Sequence, residues 1–214
     1  MLTFVSKMGR HAQSTDSKVT DRIKQQSAGW VFSAADFRDL GSPMAVRLAL
    51  MRHAKKGGIR KVGRGLYDRP RQLARLGRTL PPLSENVVQA MQARDHSRVL
   101  PSGAHAANLL GLSTQVPVRA VYLTDGRARN VPLGQQQIVF KHAATRQMAT
   151  AGRISGTVIQ ALRWLGRDQI DPATITTLRH RLSDQDKKQL LQDLRYAPAW
   201  IADIMRQVAE PAAT

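Results

Sequence analysis

Apolar positions along the chain recur either one helical turn apart or at every second residue, and the switches between these periods predict its elements. Residues 1–16 carry neither period and predict a disordered lead-in. Val19 and Ile23 stand one turn apart, which predicts a short helix over 19–28 that Gly29 ends. After Trp30-Val31-Phe32, Ser33 is an N-cap residue with Asp36 in the first turn behind it, so 34–40 reads as a helix of about two turns. Gly41 is then placed to take the left-handed conformation that closes such a helix. Ser42-Pro43 gives an N-cap followed by proline at the first helical position, the strongest start signal in the chain. The helix from Pro43 to Lys56 aligns Val46, Ala49, Leu50 and His53 on one stripe and shows Arg47, Met51, Arg52 and Lys55 on the other. Gly57-Gly58 stop it. Two β-prone runs, 59–62 and 66–69, flank Gly63-Arg64-Gly65 and predict a hairpin.

Residues 71–82, interrupted by Gly77, Pro81 and Pro82, read as a basic linker, and 83–214 as a second domain. There, 84–95 is a predicted helix with Val87, Val88 and Met91 inward, and 102–110 an alanine-rich helix capped by Ser102 and closed by Gly111. Between Pro117 and Lys141 the period shortens, with apolar runs at 118–123, 131–133 and 138–140 separated by Asp125-Gly126 and Gly134, which predicts a small antiparallel sheet. From Ala151 the pattern is helical again. Ile154, Val158, Ile159, Ala161, Leu162 and Leu165 share a face that Gly166 ends; Asp171-Pro172, Ser183 with Asp186, and Pro198 mark three further helix starts. The class is α+β: an N-terminal winged helix-turn-helix over 17–70, then a mixed α/β domain with C-terminal helices.

The winged-helix reading comes from element order, and charge gives it a purpose. Of 214 residues, 33 are Lys or Arg and 15 Asp or Glu, a formal net charge of +18. Residues 1–80 hold 17 of the basic residues and 5 of the acids, and between Ser42 and Arg78 there are eleven basic residues and one acid, Asp68. A field that one-sided attracts polyanions. In a winged module the helix after the turn enters the major groove while the hairpin meets the adjacent backbone or minor groove. The candidate DNA-binding residues are therefore Ser42, Arg47, Arg52, Lys55, Lys56, Arg60, Lys61, Arg64, Tyr67, Arg69 and Arg71, with Arg47 and Arg52 reading bases, Arg64 at the wing tip, and the lysines, Arg60, Arg69 and Arg71 on phosphates.

Other chemistry lacks its residues. With no cysteine the chain has no disulfide framework, zinc finger or thiol nucleophile. Gly41-Ser42 is not followed by the paired carboxylates of a nucleotidyltransferase, Gly63-Arg64-Gly65 lacks the third glycine of a phosphate cradle, and the six histidines have no metal-ligand spacing. The expectation is no enzyme, no catalytic residue, no cofactor and no metal. A single-strand RNA binder is disfavoured because aromatics make up 5% of the chain and do not cluster among the cations. The uncharged run 99–118 contains two prolines and several polar residues, and the N-terminus lacks a secretory apolar region, so a soluble, cytoplasmic chain is expected.

Residues 29–70, GWVFSAADFRDLGSPMAVRLALMRHAKKGGIRKVGRGLYDRP, resemble the winged-helix domain of the AbiEi-type antitoxins and regulators of abortive-infection systems. Residues 102–126, SGAHAANLLGLSTQVPVRAVYLTDG, with Pro132-Leu133-Gly134 and Phe140-Lys141, are similar to the antitoxin domain of that family, while the chain after Ala151 matches no part of it. The resemblance implies a DNA-binding autorepressor of its own operon and an antitoxin to a partner of nucleotidyltransferase fold. Its winged-domain positions include Phe32, Phe37, Ile59 and Leu66, apolar and expected in the core, and Arg52, Arg60 and Tyr67, candidates to meet DNA. His53 departs from the pattern, which has an apolar residue there. The expected partner is double-stranded DNA at the chain's own promoter, with repeated half-sites bound by a homodimer or by cooperating monomers. The alternative is an interaction module that neutralises the toxin by direct contact, with DNA secondary.

Overall fold

The computed structural model describes residues 14–73 and 77–210. The chain divides into two compact units, residues 1–82 and 83–214, and is mixed α+β.

The N-terminal unit begins with helix α1, Thr15–Gln25, four residues ahead of the predicted start, because Ser14 rather than a later residue caps it by accepting from the Ser17 N–H. The lead-in expected over 1–16 otherwise lies outside the described residues. Strand β1, Val31–Ser33, passes into the segment Ala34–Leu40, which is 3₁₀ rather than α-helical and breaks at Phe37 (φ −126°, ψ 17°). Its start carries a reciprocal cap: Ser33 Oγ accepts from the Ala35 N–H at 3.2 Å, and Asp36 Oδ2 accepts from the Ser33 N–H at 2.8 Å. Gly41 does not take the predicted left-handed conformation. Its backbone is extended (φ 161°), and the room it supplies is for Thr15, whose Oγ1 lies 2.5 Å from where a Cβ would stand.

Helix α2, Pro43–Lys55, follows with Ser42 as its cap. Strands β2, Arg60–Gly63, and β3, Leu66–Asp68, form the predicted hairpin, and β3 also pairs with β1, giving an antiparallel sheet in the order β1-β3-β2. A bulge between Lys61 and Gly63, and Gly65 at φ +69°, turn the hairpin. Val19, Ile23, Phe32, Phe37, Val46, Ala49, Leu50 and Ile59 make one core, with Phe32 stacked on Trp30 at 4.4 Å and edge-on to Phe37 at 5.5 Å. The described residues of the expected linker include a strand pair: β4, Arg71–Leu73, pairs antiparallel with β5, Arg78–Leu80, and both fall in this unit. Pro70 and Pro81 stand just outside that pairing, so the prolines bound it instead of breaking it.

The C-terminal unit opens with helix α3, Ser84–Asp95, followed by β6, Val99–Pro101, and helix α4, Gly103–Leu109. Strands β7, Arg119–Thr124, β8, Arg129–Leu133, and β9, Gln136–His142, complete a four-stranded sheet in the order β6-β7-β9-β8. The sheet is mixed, not antiparallel as predicted: β8 crosses beyond the place that β9 then fills, so β9 runs parallel to β7. Helices α5, Ile154–Leu165, α6, Pro172–Arg181, α7, Asp184–Gln192, and α8, Ala199–Ala209, pack with α4 around Val158, Leu162, Leu178, Leu190, Ile201 and Met205, all fully buried. Helix α5 is the axis of this cluster, with every residue from Ser155 to Leu162 buried. Between α4 and the sheet, His105 Nε2 and Tyr122 Oη share a buried hydrogen bond of 2.7 Å. Among the described residues no helix is long and apolar enough to cross a membrane.

Candidate nucleic-acid interface

Helix α2 is two-faced for reasons visible in its sequence. Val46, Ala49 and Leu50 return to one side at helical spacing and close on the core, which turns Met44, Arg47, Leu48, Met51, Arg52 and Lys55 to solvent. Ser42, an expected DNA contact, fixes the start by accepting from the Ala45 N–H at 3.3 Å. Arg47 is exposed and its side chain, among the described residues, has no hydrogen-bond or ion-pair partner; the same holds for the side chains of Lys55, Lys56 and Lys61.

Arg52 differs from its neighbour Arg47. Its Nη2 lies 2.9 Å from Asp16 Oδ1 on α1, and Asp16 also stands 3.4 Å from His53 Nε2, which shares a 3.0 Å hydrogen bond with Thr20 Oγ1. His53, the departure on the inward stripe, is thus a half-buried polar tie between the two helices and not a core residue.

On the hairpin the expected phosphate contacts separate into two groups. Lys61 and Arg64 are exposed, Arg64 at the tip between two glycines. Arg60 is turned inward: it grips the carboxylate of Asp68, its cross-strand neighbour, through two hydrogen bonds of 3.1 and 2.5 Å and donates to Leu80 O at 2.9 Å. Asp68 is fully buried, so this pair holds the sheet together. Tyr67 is half-buried and stacks on Phe32 at 6.2 Å, which takes its ring into the core margin. Arg69 donates to Lys24 O at 3.1 Å and to Gln26 O, closing the C-terminal end of α1. Arg71 lies across Gly29 with its Nη2 3.4 Å from Pro81 O, and a Cβ on Gly29 would meet its Cδ at 2.8 Å. Arg60, Arg69 and Arg71, expected on phosphates, each make a contact inside the unit, the longest being that of Arg71 at 3.4 Å.

On the surface lie a helix face with Arg47, Arg52, Lys55 and Lys56, and a hairpin with Lys61 and Arg64. Two residues of that face went unpredicted as surface features: Met44 and Leu48 are 65% and 44% exposed, beside Met51, expected there and 56% exposed. Their signal lay in the sequence, since positions 44, 48 and 51 fall opposite the 46, 49, 50 stripe. Arg78, exposed on β5, was likewise not singled out. Elsewhere, no group of three or more His, Asp or Glu residues suited to a metal occurs among the described residues. Burial holds the His105 imidazole below its ordinary 6.5, with Glu85 opposing, and raises the Tyr122 phenol.

The chain belongs to DUF6088, a family of unknown function, which it matches over residues 18–190, a span that holds the candidate interface residues and the larger part of each unit. No curated protein matches it.

Proposed function

We propose that this chain is a sequence-specific regulator that binds double-stranded DNA through a winged helix-turn-helix in its N-terminal unit, with α2 as the groove-entering helix and β2–β3 as the wing. The observation that carries this reading is the outward face of α2: it presents Arg47 and Lys55 to solvent while its opposite face anchors the core, in a unit whose first 80 residues carry 17 cations against 5 acids. Lys61 and Arg64 on the neighbouring hairpin extend the positive surface. Such a surface attracts any polyanion; the helix gives it a geometry suited to duplex grooves.

The operon context is a further part of the proposal. The likeness of residues 29–70 and 102–126 to AbiEi-type antitoxins supports a repressor of its own operon that opposes a nucleotidyltransferase-like toxin. The test titrates the full chain against duplex DNA from directly upstream of its gene and against a scrambled duplex of equal length, from low to moderate salt. A preference of about a thousandfold that survives salt is the expected result. Equal affinities that vanish together would reduce the charge to generic attraction and sink the regulator reading. Co-expression with the product of the adjacent gene tests the antitoxin half: relief of growth arrest is expected, and persistent arrest would remove that half alone.

A further inference from the structure

We infer that the outward face of α2 reads the C5-methyl groups of thymine, with Met44, Leu48 and Met51 as the residues that set sequence preference. This rests on the DNA-binding reading above and narrows the target to major-groove sequence in which neighbouring thymines stand beside a guanine.

Three large apolar side chains on one line of a helix, each about half exposed or more, are unusual on a surface otherwise dominated by cations. They occupy positions i, i+4 and i+7, so they form one ridge about 10 Å long, the rise of about three base pairs. Arg47 flanks the ridge and Lys55 continues it by one turn. The sequence of α2, PMAVRLALMRHAK, contains no Asn, Gln, Asp, Glu, Ser or Thr. Adenine is read in the major groove by the paired donor and acceptor of Asn or Gln, and cytosine by an acceptor such as Asp or Glu, so this helix carries the side chains for neither. Its available chemistry is apolar contact, which suits the thymine methyl, and a guanidinium, which suits guanine O6 and N7.

Lys55 in line with the ridge and Lys56 just beyond it supply cations for the phosphates that border a groove floor. Methionine adds the conformational freedom to follow that floor, because its unbranched, polarizable side chain adapts to irregular surfaces. The helix is tied to α1 by Arg52 on Asp16 and His53 on Thr20, and the ridge and Arg47 stand on its exposed face.

The test selects duplexes from a randomised pool with the full-length chain, then measures affinity for the selected duplex and for versions in which each thymine in turn is replaced by deoxyuridine. Base pairing is unchanged by that replacement; one methyl is lost. The expected result is about a fourfold loss at each of two or three adjacent positions, the value of one buried methyl-sized group. Leu48→Ala and Met51→Ala remove exposed side chains and leave the core as it is, so each variant is expected to melt like the wild type and to lose the distinction between thymine and deoxyuridine at one of those positions. Enrichment with no position sensitive to the methyl would overturn this inference and leave DNA binding standing. Enrichment of no duplex at all would overturn both and assign the apolar ridge to a protein partner.

Discussion

A buried carboxylate shows how single residues divide the positive charge of the N-terminal unit between structure and surface. Asp68 is fully buried on β3, where an ionised group without a partner is strongly destabilising, and Arg60 answers it with a two-pronged grip across the hairpin. The neighbouring Lys61 points away from that pair into solvent. The two cations therefore respond differently to the same substitution. Arg60→Ala is expected to cost about 2–3 kcal/mol of stability, toward the low side for a broken buried pair because the guanidinium itself is a third exposed. Lys61→Ala is expected to leave stability within about 0.5 kcal/mol and to weaken every DNA sequence alike. Chemical denaturation read by the aromatic cluster around Trp30 and Phe32 separates the two, and an Arg60→Ala protein as stable as the wild type would contradict the structural role given to this pair. Restoration of part of the loss by adding Asp68→Asn would identify the stranded charge as its cause.

Elements were legible in the sequence where their signals are local. Ser42-Pro43 starts α2, Ser183 with Asp186 starts α7 through a two-way cap, and Gly166 at φ +83° ends α5, each within four residues of the helix it governs. What the sequence left dark depends on residues far apart. The parallel pairing of β7 with β9 has no local mark, because alternation reveals a strand but not its neighbour. Arg60, Arg69 and Arg71 looked like surface cations since their partners, Asp68 and the carbonyls of Lys24, Gln26 and Pro81, are set by tertiary contact. Gly156 is a similar case within one element. An interior helical glycine ordinarily gains about 0.5–1 kcal/mol on replacement by alanine. On α5, however, a Cβ at 156 would lie 2.5 Å from the backbone oxygen of Thr150 and 2.7 Å from Leu100 Cδ1. Gly156→Ala is accordingly expected to destabilise the C-terminal unit by about 1–3 kcal/mol, the cost of overpacking, and a raised melting temperature would show that the helix can move away from its neighbours.

The whole molecule should report its two units through different variables, pH and salt. His105 is buried against Tyr122, and its folded-state value lies below 6.5, so between the two the unfolded chain binds the extra proton. Stability from this site is complete above pH 6.5 and is lost as pH falls from there through the lower folded value. Asp95 and Asp125, whose arginine partners hold them below the ordinary 3.8, lose theirs only in more acidic solution. A fall in melting temperature as pH drops below 6.5 that His105→Gln abolishes is the expected signature, and an unchanged fall in the variant would remove His105 as its source. Salt addresses the other unit. Counting every basic residue proposed for phosphates from sequence would neutralise six to eight phosphates, a slope of roughly −5 to −7 in log K against log salt. With Arg60, Arg69 and Arg71 in contacts inside the unit, the proposed DNA binding would draw about four phosphate contacts from the exposed Lys55, Lys56, Lys61 and Arg78, and a slope of about −4 is expected. Removing one of those lysines should shallow the slope by about one, whereas Arg69→Ala should leave it unchanged while loosening the end of α1. A measured slope near −7 would mean that the internal arginines release their carbonyl and carboxylate partners to bind phosphate, so that the bound N-terminal unit differs from the free one.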